Sequence, residues 1–223
     1  MGTRSLICVV YRGRFVVAQY SQYDGFPERE GQGMKILKFL LNSANIERLK
    51  NGLQHITILS DESFEQLREG VQLHIDGRPS NVSLSKGQCK CAKCEIEEVW
   101  PSLSRETGAG IFEIIAQATA EKYVPVLLDL EFANDGLCEW AYVVDLDDCM
   151  FEVFAGGELK DKAASKRFAS IGGTRDRVPG LLKSFSFTKL PTTEEDFIRI
   201  LNKVLDGTEG YDRGLLRNGM WRR

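Results

Sequence analysis

A β-hairpin at the start of the chain constrains the fold more than any other feature of the sequence. Two apolar runs, residues 6–11 and 14–20, are separated only by Arg12-Gly13, and a two-residue connection with glycine is typical of a hairpin. In the second run Val16 and Val17 point to opposite faces, so both faces carry apolar residues. The pattern therefore predicts an interior strand pair close to the N-terminus.

Helices and a second group of strands follow the hairpin. Apolar stripes at helical spacing predict helices over residues 33–41, 43–52, 61–70 and 104–118. Runs rich in β-branched and aromatic residues predict strands over residues 55–59, 124–132, 139–146, 149–155 and 182–187. A capping box, Thr192 with Glu195, begins a last helix that ends at Gly207.

This order of elements favours an α+β fold with antiparallel sheets and helices outside. Asp147-Asp148 separates two of the strands by a turn-length connection, so a second hairpin is expected. Strands that follow one another directly argue against a doubly wound parallel sheet. Strands with two apolar faces would also suit a four-layer αββα sandwich, the architecture of N-terminal-nucleophile hydrolases.

The length of the chain allows one full-sized domain, and its net charge and apolar content exclude some partners. A chain of 223 residues can bury a complete core, so residues 1–210 are expected to form a single domain with a polar loop or insertion at 76–95. Residues 211–223 form an Arg-rich tail. The net charge of −3 predicts no nucleic-acid partner. No window holds the roughly 18 apolar residues of a membrane span, and no signal peptide is recognised, so a cytoplasmic location without membrane contact is expected.

Three clustered cysteines are the densest set of candidate metal ligands. Cys89, Cys91 and Cys94 lie within six residues, and a zinc site would need a fourth ligand, for which His74 is the nearest candidate. Two other interpretations stay open, a reactive or redox-active thiol cluster and an exposed loop with incidental cysteines. Zinc is thus the one cofactor for which the sequence offers a candidate site, and otherwise no cofactor is expected.

The N-terminus offers a candidate nucleophile. In N-terminal-nucleophile hydrolases a Thr, Ser or Cys at the start of the first strand attacks, with its own α-amine as base. Thr3 has that position, and Arg4 and Asp24 are charged groups that could face the same opening. Removal of Met1 alone would leave Gly2 at the terminus, so a further cleavage would be required. The alternative is that these residues cap the edge of the sheet.

Four short segments carry a resemblance to other proteins. The chain opens with Gly2-Thr3-Arg4-Ser5-Leu6 and continues with Ala18-Gln-Tyr-Ser-Gln-Tyr-Asp-Gly-Phe-Pro27 after the first hairpin. Ser104-Arg-Glu-Thr-Gly-Ala109 and Cys138-Glu-Trp-Ala-Tyr-Val-Val-Asp-Leu-Asp147 follow later. Together they resemble a set of uncharacterised fungal and microbial proteins that open with Gly-Thr-Arg and carry a Gln-aromatic-Asp-Gly-aromatic-Pro turn. The resemblance implies no particular activity.

The same segments suggest a ligand-binding region. If the N-terminal hairpin pairs beside the strand of Trp140, polar loop ends would meet an aromatic floor and form a pocket. The helix start around Thr107-Gly108 could hold an anion on free N–H groups, or the glycine could serve close packing. The candidate ligand-binding residues are Gln22, Ser104, Arg105, Thr107, Gly108 and Trp140. A scaffold corner without a ligand is the alternative.

Two functions from different classes remain. With only two histidines in the chain and no complete catalytic set, the residues favour a non-catalytic interaction or regulatory protein. Its partner would be a protein or a small molecule, contacted through the 76–95 loop or the Arg-rich tail. The alternative is an N-terminal-nucleophile-like amide hydrolase.

Overall fold

A computed structural model describes residues 2–77, 91–134, 136–156, 167–168, 171 and 178–207. Within them the strands are β1 (Ser5–Tyr11), β2 (Arg14–Ser21), β3 (Ile56–Ile58), β4 (Val124–Val126), β5 (Trp140–Asp145), β6 (Met150–Ala155) and β7 (Gly180–Ser186). The helices are α1 (Gln32–Leu40), α2 (Ser43–Gly52), α3 (Asp61–Asp76), α4 (Ala92–Val99), α5 (Ile111–Ala116) and α6 (Glu194–Gly207). The predicted α+β class is therefore confirmed.

A five-stranded sheet in the order β2-β1-β5-β6-β7 organises the fold. Both predicted hairpins are present in it, β1 with β2 and β5 with β6, and β7 continues the antiparallel pairing. The hairpins meet through β1 and β5, which run parallel, with Ser5 opposite Trp140 and Val10 opposite Asp145. The sheet is thus mixed rather than wholly antiparallel, because the long connection between these strands permits a crossover.

A second, two-stranded sheet pairs β3 with β4 in parallel. The described strands form this small sheet and the five-stranded one, and this arrangement does not confirm the predicted four-layer sandwich.

Both faces of the central strands are buried, as the sequence pattern predicts. On one face Ile7, Val9 and Tyr142 belong to a core cluster that includes side chains of α1, α2, α5 and α6. On the other, Leu6 and Cys8 pack in a smaller cluster with Ala133 and Phe168, among others. The first strand, β1, is therefore an interior element. It has β2 and β5 on its two sides in the sheet, and buried clusters cover both of its faces.

Several predicted boundaries are wrong. The third helix continues to Asp76, and α4 begins at Ala92, inside the stretch expected to be a loop. Burial of Ala92 and Ile96 explains this helix, since two apolar residues four apart anchor it to the protein. Residues 124–132 contain only the three-residue β4, followed by a 3₁₀ helix at Leu130–Asn134.

Two further predictions concern the polar loop with the Arg-rich tail and the lack of a membrane span. Residues 78–90 of the expected loop and the Arg-rich tail lie outside the described residues. Within the described ranges, no helix combines the length and apolar character needed to cross a membrane.

Candidate functional site

The predicted ligand-binding residues gather at one end of the large sheet. There the N-terminal end of β1 meets the C-terminal end of β2 and the start of β5, with Ser5 opposite both Ser21 and Trp140. Beyond the strand ends, the Gln22 N–H donates to the Arg105 carbonyl at 3.0 Å. The loops that the sequence marked as one region are therefore in direct contact.

Two buried amide side chains hold these loops together. The Gln19 Nε2 donates to the Ser104 carbonyl at 2.8 Å. The Gln32 Oε1 accepts from the Ala109 N–H at 2.8 Å, while its Nε2 donates to the Tyr23 carbonyl at 3.1 Å. Both glutamines are at least 96% buried, so they act as internal braces between the start of α1, the end of β2 and the 104–110 loop.

The polar residues of the 104–110 loop serve this scaffold. Gly108 has a φ of +51°, and a Cβ at this residue would lie 2.4 Å from the Gln32 amide. The Ser104 Oγ accepts from the Glu106 N–H at 3.2 Å, and the Thr107 hydroxyl donates to the Pro101 carbonyl. Close packing, one of the two interpretations of Gly108, accounts for its contacts.

The N-terminal candidates are held mainly by backbone bonds. Thr3 is 3% exposed, and its carbonyl accepts from the Gly25 N–H at 2.9 Å. The Arg4 N–H donates to the Glu139 carboxylate at 3.1 Å, and the Arg4 carbonyl accepts from the buried Trp140 N–H at 3.3 Å. Thr3 therefore lies inside the sheet end, with little surface open to a substrate.

Arg4 and Asp24, the two charged groups that could face the same opening, form no ion pair with each other. Asp24 is exposed and makes its contact through its carbonyl, which accepts from the Gln32 N–H at 2.8 Å. The carboxylate near Arg4 is that of Glu139 instead. Burial raises the pKa of Glu139, and the Arg4 N–H and guanidinium oppose that rise by favouring the charged form.

An apolar cavity of about 270 Å³ opens beside the same sheet end. Its walls come from the end of β2, from α3, from α4 and from the turn at Pro101–Leu103. The apolar lining includes Phe64, Ile96, Leu103 and Leu127. Of the predicted ligand-binding residues, only Arg105 lines this cavity.

The charged groups of the apolar cavity differ in their environment. Burial raises the pKa of Asp129, although the Tyr20 N–H donates to its carboxylate at 3.3 Å and partly offsets that effect. Lys93 lies 3.7 Å from Glu97 in an ion pair. Arg105 forms no ion pair with any residue of the described ranges, so its charge is available to a ligand.

A wider outer groove of about 900 Å³ shares Tyr20 and Asp129 with the lining of the apolar cavity. Arg4 is in its wall with the carboxylates of Asp61 and Glu131. The groove is open and mainly acidic, so it is a poorer enclosure for a small molecule than the apolar cavity.

Two of the three clustered cysteines are among the described residues. Cys91 and Cys94 have their sulfur atoms 3.5 Å apart, whereas Cys89 lies outside the described residues. Among the residues that the structure describes, no three His, Cys, Asp or Glu side chains group as metal ligands would. The candidate fourth ligand, His74, is exposed near the end of α3. Zinc binding by this cluster stays a prediction.

The sequence missed the residues that shape the cavity. Gln19 carried a signal, because it is a polar residue within an apolar strand, but Phe64 and Asp129 belong to segments that meet only in the fold. Comparisons with protein-family models, with curated proteins and with solved structures find no match to this chain. The function is therefore argued from the geometry of the site.

Proposed function

We propose that the protein is a non-catalytic binding protein whose ligand is a small apolar molecule with an anionic group, held in the apolar cavity. The observation that carries this proposal is a cavity with mainly apolar walls and an arginine in its lining, Arg105, that forms no ion pair with any described residue. Ligand sites in proteins are typically apolar enclosures with a few polar groups that fix orientation.

The size of the cavity supports a small ligand. At about 270 Å³ it lies just below the range of roughly 300–1,000 Å³ that is usual for drug-sized ligands. An aromatic or short acyl carboxylic acid has the right scale. Such a molecule would cover the apolar wall formed by Ile96, Leu103 and Leu127.

The packing of α3 supports the same idea. None of the sixteen residues of this helix is fully buried, although Phe64, Leu67 and Val71 form a half-buried apolar stripe. Phe64 belongs to this stripe and lines the cavity. A bound apolar ligand would bury more of Phe64, and each Å² of apolar surface removed from water contributes about 25 cal/mol.

The charges indicate where the anionic group would lie. The half-buried carboxylate of Asp129 would repel an anion from the wall near Tyr20, whereas Arg105 is exposed and forms no ion pair with a described residue. The anionic end would therefore point to Arg105 and the apolar end to Phe64.

The cavity lining favours binding over catalysis. Among the described residues that line it there is no histidine and no cysteine, and the hydroxyl of Ser102 donates to the Pro125 carbonyl at 2.6 Å rather than to a base. The non-catalytic hypothesis is accordingly the one that the geometry of the described residues supports best.

Calorimetric titration with a matched pair of probes tests the proposal. We expect 2-naphthoate to bind the full-length protein and its uncharged counterpart, 2-naphthamide, to bind about tenfold more weakly, as for loss of one charge-assisted hydrogen bond. Arg105→Ala should remove this preference while the amide still binds. Leu127→Trp should fill the cavity and abolish binding of both probes.

Two control variants complete this experiment. Leu73→Ala alters a side chain on α3 that is 73% exposed and does not line the cavity, and Arg199→Ala removes a surface arginine of α6. Both should bind like the wild type. Failure of 2-naphthoate to bind, or equal binding by Leu127→Trp, would contradict the proposal.

The alternative, an N-terminal-nucleophile-like amide hydrolase, depends on Thr3 becoming the first residue. The burial of Thr3 gives it no support, but intact mass of the purified protein tests it directly. Loss of Met1 alone leaves Gly2 first and rules against this chemistry, whereas loss of both residues would support it.

A further inference from the structure

Cys91 and Cys94 form a close pair at the start of α4. Cys91 is the N-cap residue, with extended backbone angles, and Cys94 is the third residue of the helix. N-cap and third-residue side chains face each other across the first turn, as in a capping box. Their sulfur atoms are accordingly 3.5 Å apart.

We infer that Cys91 and Cys94 are a thiol–disulfide exchange site that reacts with low-molecular-weight disulfides such as oxidised glutathione. A disulfide bond requires a sulfur–sulfur distance of about 2.05 Å, so the sulfurs need to approach by roughly 1.5 Å. Side-chain rotation supplies such a movement. Ala92 and Ile96 are buried, so the helix itself can remain in place.

The exposure of the two sulfurs assigns their roles. Cys91 is exposed and Cys94 is only partly so, which makes Cys91 the attacking residue and Cys94 the resolving one. The nucleophile in exchange is a thiolate, which forms at Cys91 by loss of its proton to solvent. Cys94 then reaches the Cys91 sulfur without any change of backbone.

The reaction balances as two successive displacements. The Cys91 thiolate attacks one sulfur of the small disulfide, forming a mixed disulfide and releasing one small thiolate. The Cys94 thiolate then attacks the Cys91 sulfur and releases the second small thiolate. The protein loses two electrons to the small disulfide, and the two protons of the cysteines pass through solvent to the two thiols released.

Two other described cysteines lack this chemistry. Cys8 and Cys138 are buried in the sheet, and burial raises the pKa of Cys8 well above its usual value, which keeps it a thiol. Cys149 is exposed but lies in the β5–β6 connection, so it serves as a control for simple surface reactivity.

Full-length protein treated with oxidised glutathione, then digested and mapped by mass spectrometry, tests the inference. We expect one peptide pair joined through Cys91 and Cys94, with the same result in Cys89→Ser and Cys149→Ser proteins. Cys94→Ser should stop at a stable glutathione adduct on Cys91. Cys91→Ser should form neither the internal disulfide nor an adduct on Cys94 at a comparable rate.

The outcomes separate the exchange site from incidental thiols. An internal bond that persists in Cys91→Ser, or one that joins Cys89 instead, would overturn the assignment. So would an adduct on Cys91 that forms no faster than the adduct on Cys149. Return of both thiols on addition of reduced glutathione is the further result expected of an exchange site.

Discussion

The contact between Gln32 and Gly108 allows a sharp test of how the sheet end is held together. Gly108 has a left-handed backbone, and a Cβ there would lie 2.4 Å from the buried Gln32 amide. That amide can move away only by breaking its bonds to Ala109 and Tyr23. We therefore expect Gly108→Ala and Gln32→Ala to be strongly non-additive.

The magnitudes follow from the contacts. Gln32→Ala leaves the buried Ala109 N–H without its side-chain partner, whereas the Tyr23 carbonyl keeps the Ser21 hydroxyl at 3.1 Å, so the loss should cost about 1–3 kcal/mol. Gly108→Ala adds about 1–2 kcal/mol of left-handed backbone strain to the loss of the same bonds, about 2–5 kcal/mol in all. In the Gln32→Ala background only the strain remains, so the coupling equals the shared loss of bonds, about 1–3 kcal/mol.

Urea unfolding followed by circular dichroism measures all four proteins of this cycle. Gly110→Ala is the matched control, because Gly110 has helical angles and a Cβ there would meet only the Thr107 Cγ2, at 3.7 Å. It should change stability by less than about 1 kcal/mol. Additivity of the two substitutions, or a Gly108→Ala cost as small as that of Gly110→Ala, would refute the reasoning.

Four further substitutions test burial elsewhere. Burial raises the folded-state pKa of Asp129, so its charge costs stability that grows as pH rises above the unfolded value of about 3.9. Asp129→Asn should raise the melting temperature at pH 7.5, and this gain should vanish near pH 4. Ser5→Ala should stabilise the protein by about 1 kcal/mol, because the buried Oγ has no hydrogen-bond partner among the described residues. A lower unfolding midpoint in urea would contradict this expectation. Gly52→Ala should cost about 3 kcal/mol or more, since its Cβ would lie 1.7 Å from the Ile115 carbonyl, whereas Gly70→Ala, in open space on α3, should stabilise slightly in the same titration.

Much of the local structure could be predicted from the sequence. The first hairpin follows from two apolar runs and Arg12-Gly13, and α2 begins at Ser43 and ends at Gly52 as predicted, although Asn42 rather than Ser43 is its N-cap. These features depend on residues close together along the chain, so hydrophobic periodicity and turn residues predict them. Helix α4 was not predicted, because the residues before it are polar and only two buried apolar residues, Ala92 and Ile96, anchor it.

The candidate site was predicted only in part. Contact between the loop after β2 and the 104–110 loop follows the expectation, and Arg105 lines the apolar cavity. The cavity itself could not be predicted, because Phe64 and Asp129 reach it from α3 and from the segment after β4. No local sequence pattern indicates which distant segments will meet to form the wall of a cavity.

The sequence by itself determined the local elements of this protein, since hairpins and amphipathic helices depend on residues a few positions apart. Only the tertiary structure decided that β1 and β5 pair in parallel, which brings Ser5 opposite Trp140 and joins two hairpins in one sheet. The same packing decided that Gln32 joins the start of α1 to the loop after β2 and to the 104–110 loop, and that a cavity remains beside them. Pairings between residues more than a hundred positions apart depend on how all the apolar faces are buried together, and that balance is a property of the whole fold.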